Sequence, residues 1–514
     1  MKLNKILPFG AAIVAMAFAS CGEDFLNGEN QQYVDSETAS EVLEADPEFV
    51  DSYTSGLWSW MVTFGTTSTS HDDFSLASVL HSTDMGGEDM TMFSNSWFIY
   101  DYELDNRLYN YRRTNVNWTT FYTMIAKANE ILDLFVEMPK AETARGAYGN
   151  AHAIRAYAFT YLLQLFTNPT AEDGSVAYDA PAVPFVASSN DGYTPEEKEA
   201  LMGRNTVKDI FEIIEKDLDL ALEALKGYKR PSKLYIDESV CQGIAARYYL
   251  LSQQWDKAAA AAKAAREGYT IMEGTGAVGT YAANTILDGF MDITNEEWMW
   301  GFDHTSETQT TYASLFSHLS NIAPGYSGIG YTGRGIDARL YSQMSDTDYR
   351  KMYWYNDEDG DTENTIDKNG SSYEEEPYAI WKFGWNGDWT MDYLWMRASE
   401  MVLIEAEAEA RQGNEAGAAT IMKELMAKRD PAWNNATASV EDIYLQRRLE
   451  LIGEGFTFFD LKRLNKGIDR SYEGNNHLAG YAITVPARDP RWTFQLPRTE
   501  LQENIHIDES EQNP

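Results

Sequence analysis

Between residues 118 and 135 the apolar side chains Phe121, Tyr122, Ile125, Ala128, Leu132 and Phe135 recur every three or four positions, which places them on one face of an α-helix. A second stripe follows at Ala151, Ile154, Ala158, Tyr161, Leu162 and Leu165. Only a short polar segment separates the two, so they are expected to fold back as an antiparallel pair. The pattern returns at Val207, Ile210, Phe211, Ile214, Leu218, Ala221, Leu222 and Leu225, with Thr206 placed as N-cap and Asp209 and Glu212 suited to the first turn. Its partner is expected over 239–252. After Gln253-Gln254 and Trp255 comes an alanine-rich run, 258–265, whose small side chains let another helix approach closely, as in a tetratricopeptide-type pair. A third arrangement starts near Asp392, carries Leu394, Met401, Leu403 and Ile404, and passes from Ala406, Ala408 and Ala410 through Gly413-Asn414 to Ala416, Ala418 and Ala419. Three helical pairs, near 118–166, 206–268 and 392–429, specify a mainly α chain with little β. Without a strict repeat length, the periodicity leaves open whether they stack as a tetratricopeptide-like scaffold or stand as unrelated hairpins.

Long aromatic, glycine-bearing stretches separate these pairs, chiefly 56–117, 270–335 and 350–391, and loops of that length inside a folded protein are usually functional. Several of the 14 tryptophans lie there: Trp58, Trp60, Trp97, Trp298, Trp300, Trp354, Trp381, Trp385 and Trp389. With 44% hydrophobic and 24% charged residues the chain can build a large core. A formal charge of −39 repels phosphate backbones, which argues against nucleic acid as a partner and disfavours strongly anionic polymers. The two cysteines are Cys21 and Cys241; if the first is removed from the fold by modification, no internal disulfide or cysteine-rich metal site is available. Cys241, among Val240, Ile244 and Ala245, reads as a small core residue.

The amino terminus carries Lys2 and Lys5, then an apolar run over 6–19 interrupted by Pro8 and Gly10. The run is shorter than the roughly 20 residues a spanning helix needs, and its layout is that of a secretory signal. It ends at Phe18-Ala19-Ser20-Cys21, small residues before a cysteine whose thiol can be acylated. This order resembles a lipobox, with Phe18 bulkier than the usual aliphatic residue. Residues 1–20 are therefore expected to be a lipoprotein signal peptide, Cys21 the lipidation site, and the polar stretch 21–55 a tether.

The carboxy-terminal segment reads Arg447-Arg448-Leu449-Glu450-Leu451, Gly453-Glu454-Gly455, Phe459-Asp460-Leu461-Lys462-Arg463 and Trp492-Thr493-Phe494-Gln495-Leu496-Pro497. It resembles the closing block of the SusD/RagB family of outer-membrane nutrient-binding lipoproteins, with Gln495 and Leu496 in place of the usual Pro-Ile. Gly149 with Arg155-Ala156-Tyr157, Val183-Pro184, Asp346 with Arg350-Lys351, Lys382-Phe383 and Met396-Arg397-Ala398-Ser399-Glu400 are similar to other family segments in the same order. With Cys21 and Asp24-Phe25-Leu26, the resemblance covers nearly the whole mature chain. Gly22-Glu23-Asp24 also resembles the acidic surface-export signals of lipoproteins in this family's hosts. The resemblance implies a single SusD-like domain over 56–514, closed by the block 441–514. It further implies attachment to the outer membrane facing outward, capture of oligosaccharide or polysaccharide, and delivery to a SusC-like TonB-dependent transporter.

Glycan binding without catalysis needs flat apolar faces against sugar rings and a few polar groups for hydroxyls. Ser94-Asn95-Ser96-Trp97-Phe98-Ile99-Tyr100 combines both, and Gly325-Tyr326-Ser327-Gly328-Ile329-Gly330-Tyr331-Thr332-Gly333-Arg334 is a second candidate in which glycines would leave ring faces uncovered. The expected ligand contacts are Trp97, Tyr100, Tyr326, Tyr331 and Arg334, with Asp84 as a polar partner. Arg448, Glu450, Glu454, Asp460 and Arg463 are expected to form ion pairs across a bend made by Gly453 and Gly455. Arginines there would hold Glu454 and Asp460 ionised, leaving no raised-pKa acid for catalysis. The segment 356–361, Asn-Asp-Glu-Asp-Gly-Asp, resembles the start of a calcium loop, but the position that should close it is Lys368. His71 and His81, near Asp72, Asp73 and Asp84, fit no common metal spacing and stay unassigned. No phosphate-binding loop, dinucleotide fingerprint or nucleophile elbow occurs. The expectation is a glycan-binding surface lipoprotein without cofactor or catalytic residues; a surface glycoside hydrolase and a peptide-binding helical scaffold are the alternatives.

Overall fold

The apolar stripes lie on long helices. The computed structural model describes residues 46–273, 290–329, 333–355, 365–368, 371–374 and 376–514. Its principal helices are α1 (Asp51–Val62), α2 (Ser75–Met85), α3 (Ile99–Glu103), α4 (Arg112–Leu132), α5 (Glu142–Phe166), α6 (Val207–Leu225), α7 (Glu238–Leu251), α8 (Trp255–Ala265), α9 (Leu315–Leu319), α10 (Tyr326–Ile329), α11 (Ala398–Arg411), α12 (Glu415–Met426), α13 (Val440–Leu451) and α14 (Thr457–Arg463). The first of these begins at Asp51, inside the stretch expected as tether. Pro47–Pro514 is one compact unit.

The helices stack in succession. α4 packs on α5, α5 on α6, α6 on α7, α7 on α8, α8 on α11, and α11 on both α12 and α13. Each element thus lies against its neighbours in chain order, the arrangement of a tetratricopeptide-like scaffold and not of isolated hairpins. Thr206 caps α6 as expected: its hydroxyl accepts the Asp209 N–H at 3.2 Å while Asp209 accepts the Thr206 N–H at 2.9 Å. A Cβ added at Gly149 would meet Leu225 Cγ at 2.6 Å, so glycine is what lets α5 approach α6 so closely. The alanines of α8, Ala258, Ala261, Ala262 and Ala265, are all buried and serve the same purpose between α7 and α11. Arg155 on α5 reaches Asp217 on α6 at 2.7 Å and Asp191 at 2.8 Å, fixing the register of the pair.

The third pair departs from expectation. No helix starts near Asp392: Tyr393–Arg397 is a strand, β6, antiparallel to β2 (Trp298–Phe302), and α11 begins at Ala398. Pairing with β2 satisfies the backbone there, and the extended Arg397 turns its guanidinium to Glu297, Glu450 and Glu454 at 2.8 to 2.9 Å. The other strands are equally short: β1 (Met90–Met92) pairs with β3 (Arg334–Ile336), β4 (Thr365–Lys368) with β5 (Ser371–Glu374), and β7 (Ile468–Asp469) with β8 (Thr484–Val485). Cys241 is fully buried, and burial pushes its thiol up.

Gly453 and Gly455 both take positive φ, 84° and 89°, and supply the bend between α13 and α14. Across it Arg447 reaches Asp460 at 3.0 Å and Asp460 meets Arg463 at 2.8 Å. The remaining charges look further afield than expected. Glu450 accepts from Arg397 and Arg429, Glu454 from Lys382 and Arg397, and Arg448 pairs with Glu88 and Asp89 after α2.

Candidate functional site

Where α2 begins, a loop brings its chain back on itself. The Asp73 carboxylate accepts the N–H groups of Thr66, Thr67 and Ser68 at 2.9 to 3.1 Å and so fixes the loop that carries Phe64 and His71. Asp72 is gripped by Arg112 at 2.5 Å and Arg113 at 3.2 Å from the start of α4. Although burial alone would raise it, the charges of Arg113 and Arg112 hold the Asp72 carboxyl below its usual range. His71 is thereby placed on a rigid ledge.

Around His71 gather Trp97, Tyr312 and Tyr326. The His71 ring lies parallel to Tyr312, within 5° at 6.2 Å, and 5.9 Å from both Trp97 and Tyr326. Its Nδ1 is 2.7 Å from the Tyr326 hydroxyl. Trp97 meets Tyr326 edge-on at 6.1 Å, and Tyr312 is 49% exposed. His71, Trp97 and Tyr326 are each partly open. Beneath them a buried layer sets the positions. His318 on α9 stacks on Tyr326 at 5.0 Å and 15°, and its Nε2 donates to the His71 carbonyl at 2.8 Å. Burial pushes the His318 pKa down to about 3, so the ring is neutral at physiological pH. Phe98 sits against His318 and His81 in a left-handed backbone conformation, φ 69°, and so turns inward while Trp97 before it faces out. A bulky residue held at positive φ carries a conformational cost of roughly 1–3 kcal/mol, which recurs where a site must be shaped.

Of the expected contacts, Trp97 and Tyr326 come together in this cluster, while Tyr100, on α3, is 59% exposed and makes no ring contact with it among the described residues. Tyr331 lies outside the described residues, as do Cys21, the segment 1–20 and the calcium-like stretch 356–361. Arg334 and Asp84, expected as contacts, are buried. Arg334 is 1% exposed, donates to the Trp97 carbonyl at 3.0 Å, and acts on the cluster from within by holding Trp97. Burial lowers its pKa to about 10, which leaves it charged. Asp84 is fully buried on α2, where it accepts the Gly455 and Thr457 N–H groups at 2.7 and 3.2 Å. The glycines of the second candidate segment also play another part. A Cβ at Gly325 or Gly328 would strike the Ser317 or Ala323 backbone, so they permit close packing of α9 and α10 and do not uncover rings.

His71 and Tyr312 were not singled out as contacts from the sequence. Tyr312 had a usable signal, an isolated ring among Thr310, Thr311 and Ser314 inside a long loop. Among the other loop tryptophans, Trp58, Trp298, Trp300 and Trp354 are buried core residues. Near the bend, burial would raise Glu454 and Asp460, but Arg397 and Lys382 hold Glu454, and Arg447 and Arg463 hold Asp460, below the ordinary carboxylate range. Among the described residues no group of three or more His, Cys, Asp or Glu side chains is placed to hold a metal ion. No helix there is long and apolar enough to cross a membrane.

Two family models match the chain: one described as starch-binding associating with outer membrane, over residues 35–250, and one described as SusD family, over 326–514. No curated protein sequence matches. Among solved structures, a SusD-like carbohydrate-binding protein from Bacteroides vulgatus is similar over 90% of this chain and 98% of its own, with 20% identity and a TM-score of 0.73. A SusD superfamily protein from Bacteroides fragilis shares 22% identity with a TM-score of 0.69 over 90% and 99% of the two chains. Surface glycan-binding protein A from Bacteroides thetaiotaomicron, solved with laminarihexaose, is similar at 13% identity and a TM-score of 0.64, over 91% and 99%.

Proposed function

The chain belongs to the SusD/RagB-like family, and on that premise we propose that it is a cell-surface lipoprotein that captures oligosaccharides and passes them to a SusC-like TonB-dependent transporter. The observation that carries the capture step is the half-open cluster of His71, Trp97, Tyr312 and Tyr326, braced from below by His318 and Arg334. Rings fixed in advance lose little freedom when a sugar stacks on them, so the contact energy goes into affinity. Asp72, the carboxylate beside the rings, is held ionised by its two arginines and so offers no proton to a leaving group, which favours binding over hydrolysis. A related fold solved with laminarihexaose supports a glycan as the class of ligand. Lipidation at Cys21, outward orientation and handover to the transporter rest on the family and on the amino-terminal sequence.

Affinity electrophoresis of the purified mature protein against a panel of polysaccharides tests the reading. Wild type is expected to be retarded by at least one polymer, and Trp97→Ala or Tyr312→Ala to weaken binding to it at least tenfold with the melting temperature little changed. Migration unaffected by every polymer, or retardation that both variants retain in full, would reject it.

A further inference from the structure

Residues 384–391 form a second aromatic platform. Trp385 and Trp389 meet edge-on with ring centroids 4.7 Å apart, and both are only partly buried. Among the described residues neither indole N–H has a hydrogen-bond partner. Trp60, Trp300 and Trp492 donate theirs to carbonyl oxygens at 2.8 to 3.0 Å, whereas Trp58, Trp354 and Trp395 leave theirs unpaired in the core, so it is partial exposure that sets Trp385 and Trp389 apart. The loop between the two rings is laced by its own side chains. The Asn386 amide donates to Thr390 Oγ1 at 3.1 Å, Asn386 Oδ1 accepts the Asp388 N–H at 3.2 Å, and Asp388 Oδ1 accepts the Thr390 N–H at 2.9 Å. Trp389 itself is held at φ 74°, a conformation bulky residues rarely keep without a compensating role. The rings are therefore presented in a fixed geometry and are not folded into the core.

The platform is tied to the first cluster. Ser320 Oγ donates to the Gly384 carbonyl at 3.0 Å, Ser320 caps the end of α9, and two residues earlier His318 stacks on Tyr326. This path from Trp385 to Tyr326 crosses three backbone steps and two contacts, which bounds the Cα separation at about 30 Å. We propose that Trp385 and Trp389 are a second glycan contact, so that the protein takes an uncharged polymer or long oligosaccharide held at two places in preference to a short sugar. The charge assignment comes from the segment itself, where the exposed Asp388 stands between the two tryptophans in sequence with no lysine or arginine between 384 and 392. Hydrogen bonds from the Thr390 side chain and backbone hold Asp388 below the ordinary carboxylate range, so it stays ionised and repels an anionic chain. A ligand that engages the second contact while held at the first does so at high effective concentration, and affinity then grows with chain length.

This inference rests on the proposed glycan binding, and one titration series separates the two. The mature protein is screened on amylose, laminarin, xylan and mannan, and whichever is retained is tested by calorimetry as polymer and as its di- to heptasaccharides. Trp389→Gly removes one ring while relieving the left-handed backbone, and Trp385→Ala removes the other. The expected result is a loss on the order of tenfold or more for the polymer and none for the shortest fragment that still binds wild type. Unchanged polymer affinity in both variants overturns the second contact and leaves the first intact. Equal losses for short and long ligands also overturn it, by placing the pair in the first site. Retention of none of the four polymers counts against the glycan-binding reading as well.

Discussion

Asp84 occupies a place where a charge is hard to keep, fully buried between α2 and the bend that follows α13. Burial raises its carboxyl from 3.8 to about 7, and the N–H groups of Gly455 and Thr457 offset that only in part. The folded state thus holds the Asp84 proton more tightly than the unfolded chain does. Its contribution to stability is complete below about pH 4 and is lost as the pH rises through about 7. Asp84→Asn, which keeps an uncharged acceptor, should flatten the fall in melting temperature between pH 5 and 8, a difference on the order of 1–4 kcal/mol. Parallel pH profiles for wild type and variant would refute this. In the sequence Asp84 and Arg334 look like any polar residues near an aromatic loop. What buries Asp84 is a backbone donor 371 positions further along the chain, and no local pattern encodes that. Trp97 and Tyr326 were legible because rings set among short polar and glycine residues rarely belong to a helical stripe. His71 was visible only as a residue without a role, since its ring acquires one through Tyr312 and Tyr326.

Among the elements, the contact between α5 and α6 depends on one missing methyl group. Gly149→Ala would gain up to about 1 kcal/mol of helix propensity. It would also press a Cβ to within 2.6 Å of Leu225 Cγ, with Ala224 close behind. Overpacking of this kind costs about 1–3 kcal/mol, so net destabilisation in urea unfolding is expected. A gain in stability would mean the two helices can part at little cost. The helices of the stacked pairs were readable from periodicity, down to the cap at Thr206, whereas α1 and α2 fall largely in the stretch 56–117 that reads as a loop. The strand Tyr393–Arg397 was not, because Leu394 and Met401 also fit a helical spacing. What decides for a strand is the partner β2, which lies across a long loop, and the demand of Glu297, Glu450 and Glu454 for the Arg397 guanidinium.

At the scale of the molecule, charges buried together join segments distant in sequence. Glu450 gathers Arg350, Arg397 and Arg429, while Glu454 takes Lys382, and each bond is shielded from solvent and so from salt. Such a frame keeps the ring cluster in place without help from a membrane, which separates capture from attachment. Attachment is proposed at Cys21 on the amino-terminal sequence, and the formal charge of −39 opposes adhesion of the folded surface to an anionic membrane. Cys241 cannot substitute, since it is buried in α7 with its thiol pushed up by that burial. One acyl chain gives only reversible binding at about 0.8 kcal/mol per buried CH2, so stable anchoring requires more than one chain on the same cysteine. Cys21→Ser in the full chain should therefore move the protein from the membrane fraction to the soluble one. The purified variant should bind polysaccharide within about twofold of the mature wild type, because two membrane-independent ring platforms do not sense the anchor. Persistence of the serine variant in the membrane fraction would reject Cys21 as the point of attachment, and weakened glycan binding would show that the anchor and the frame are coupled after all.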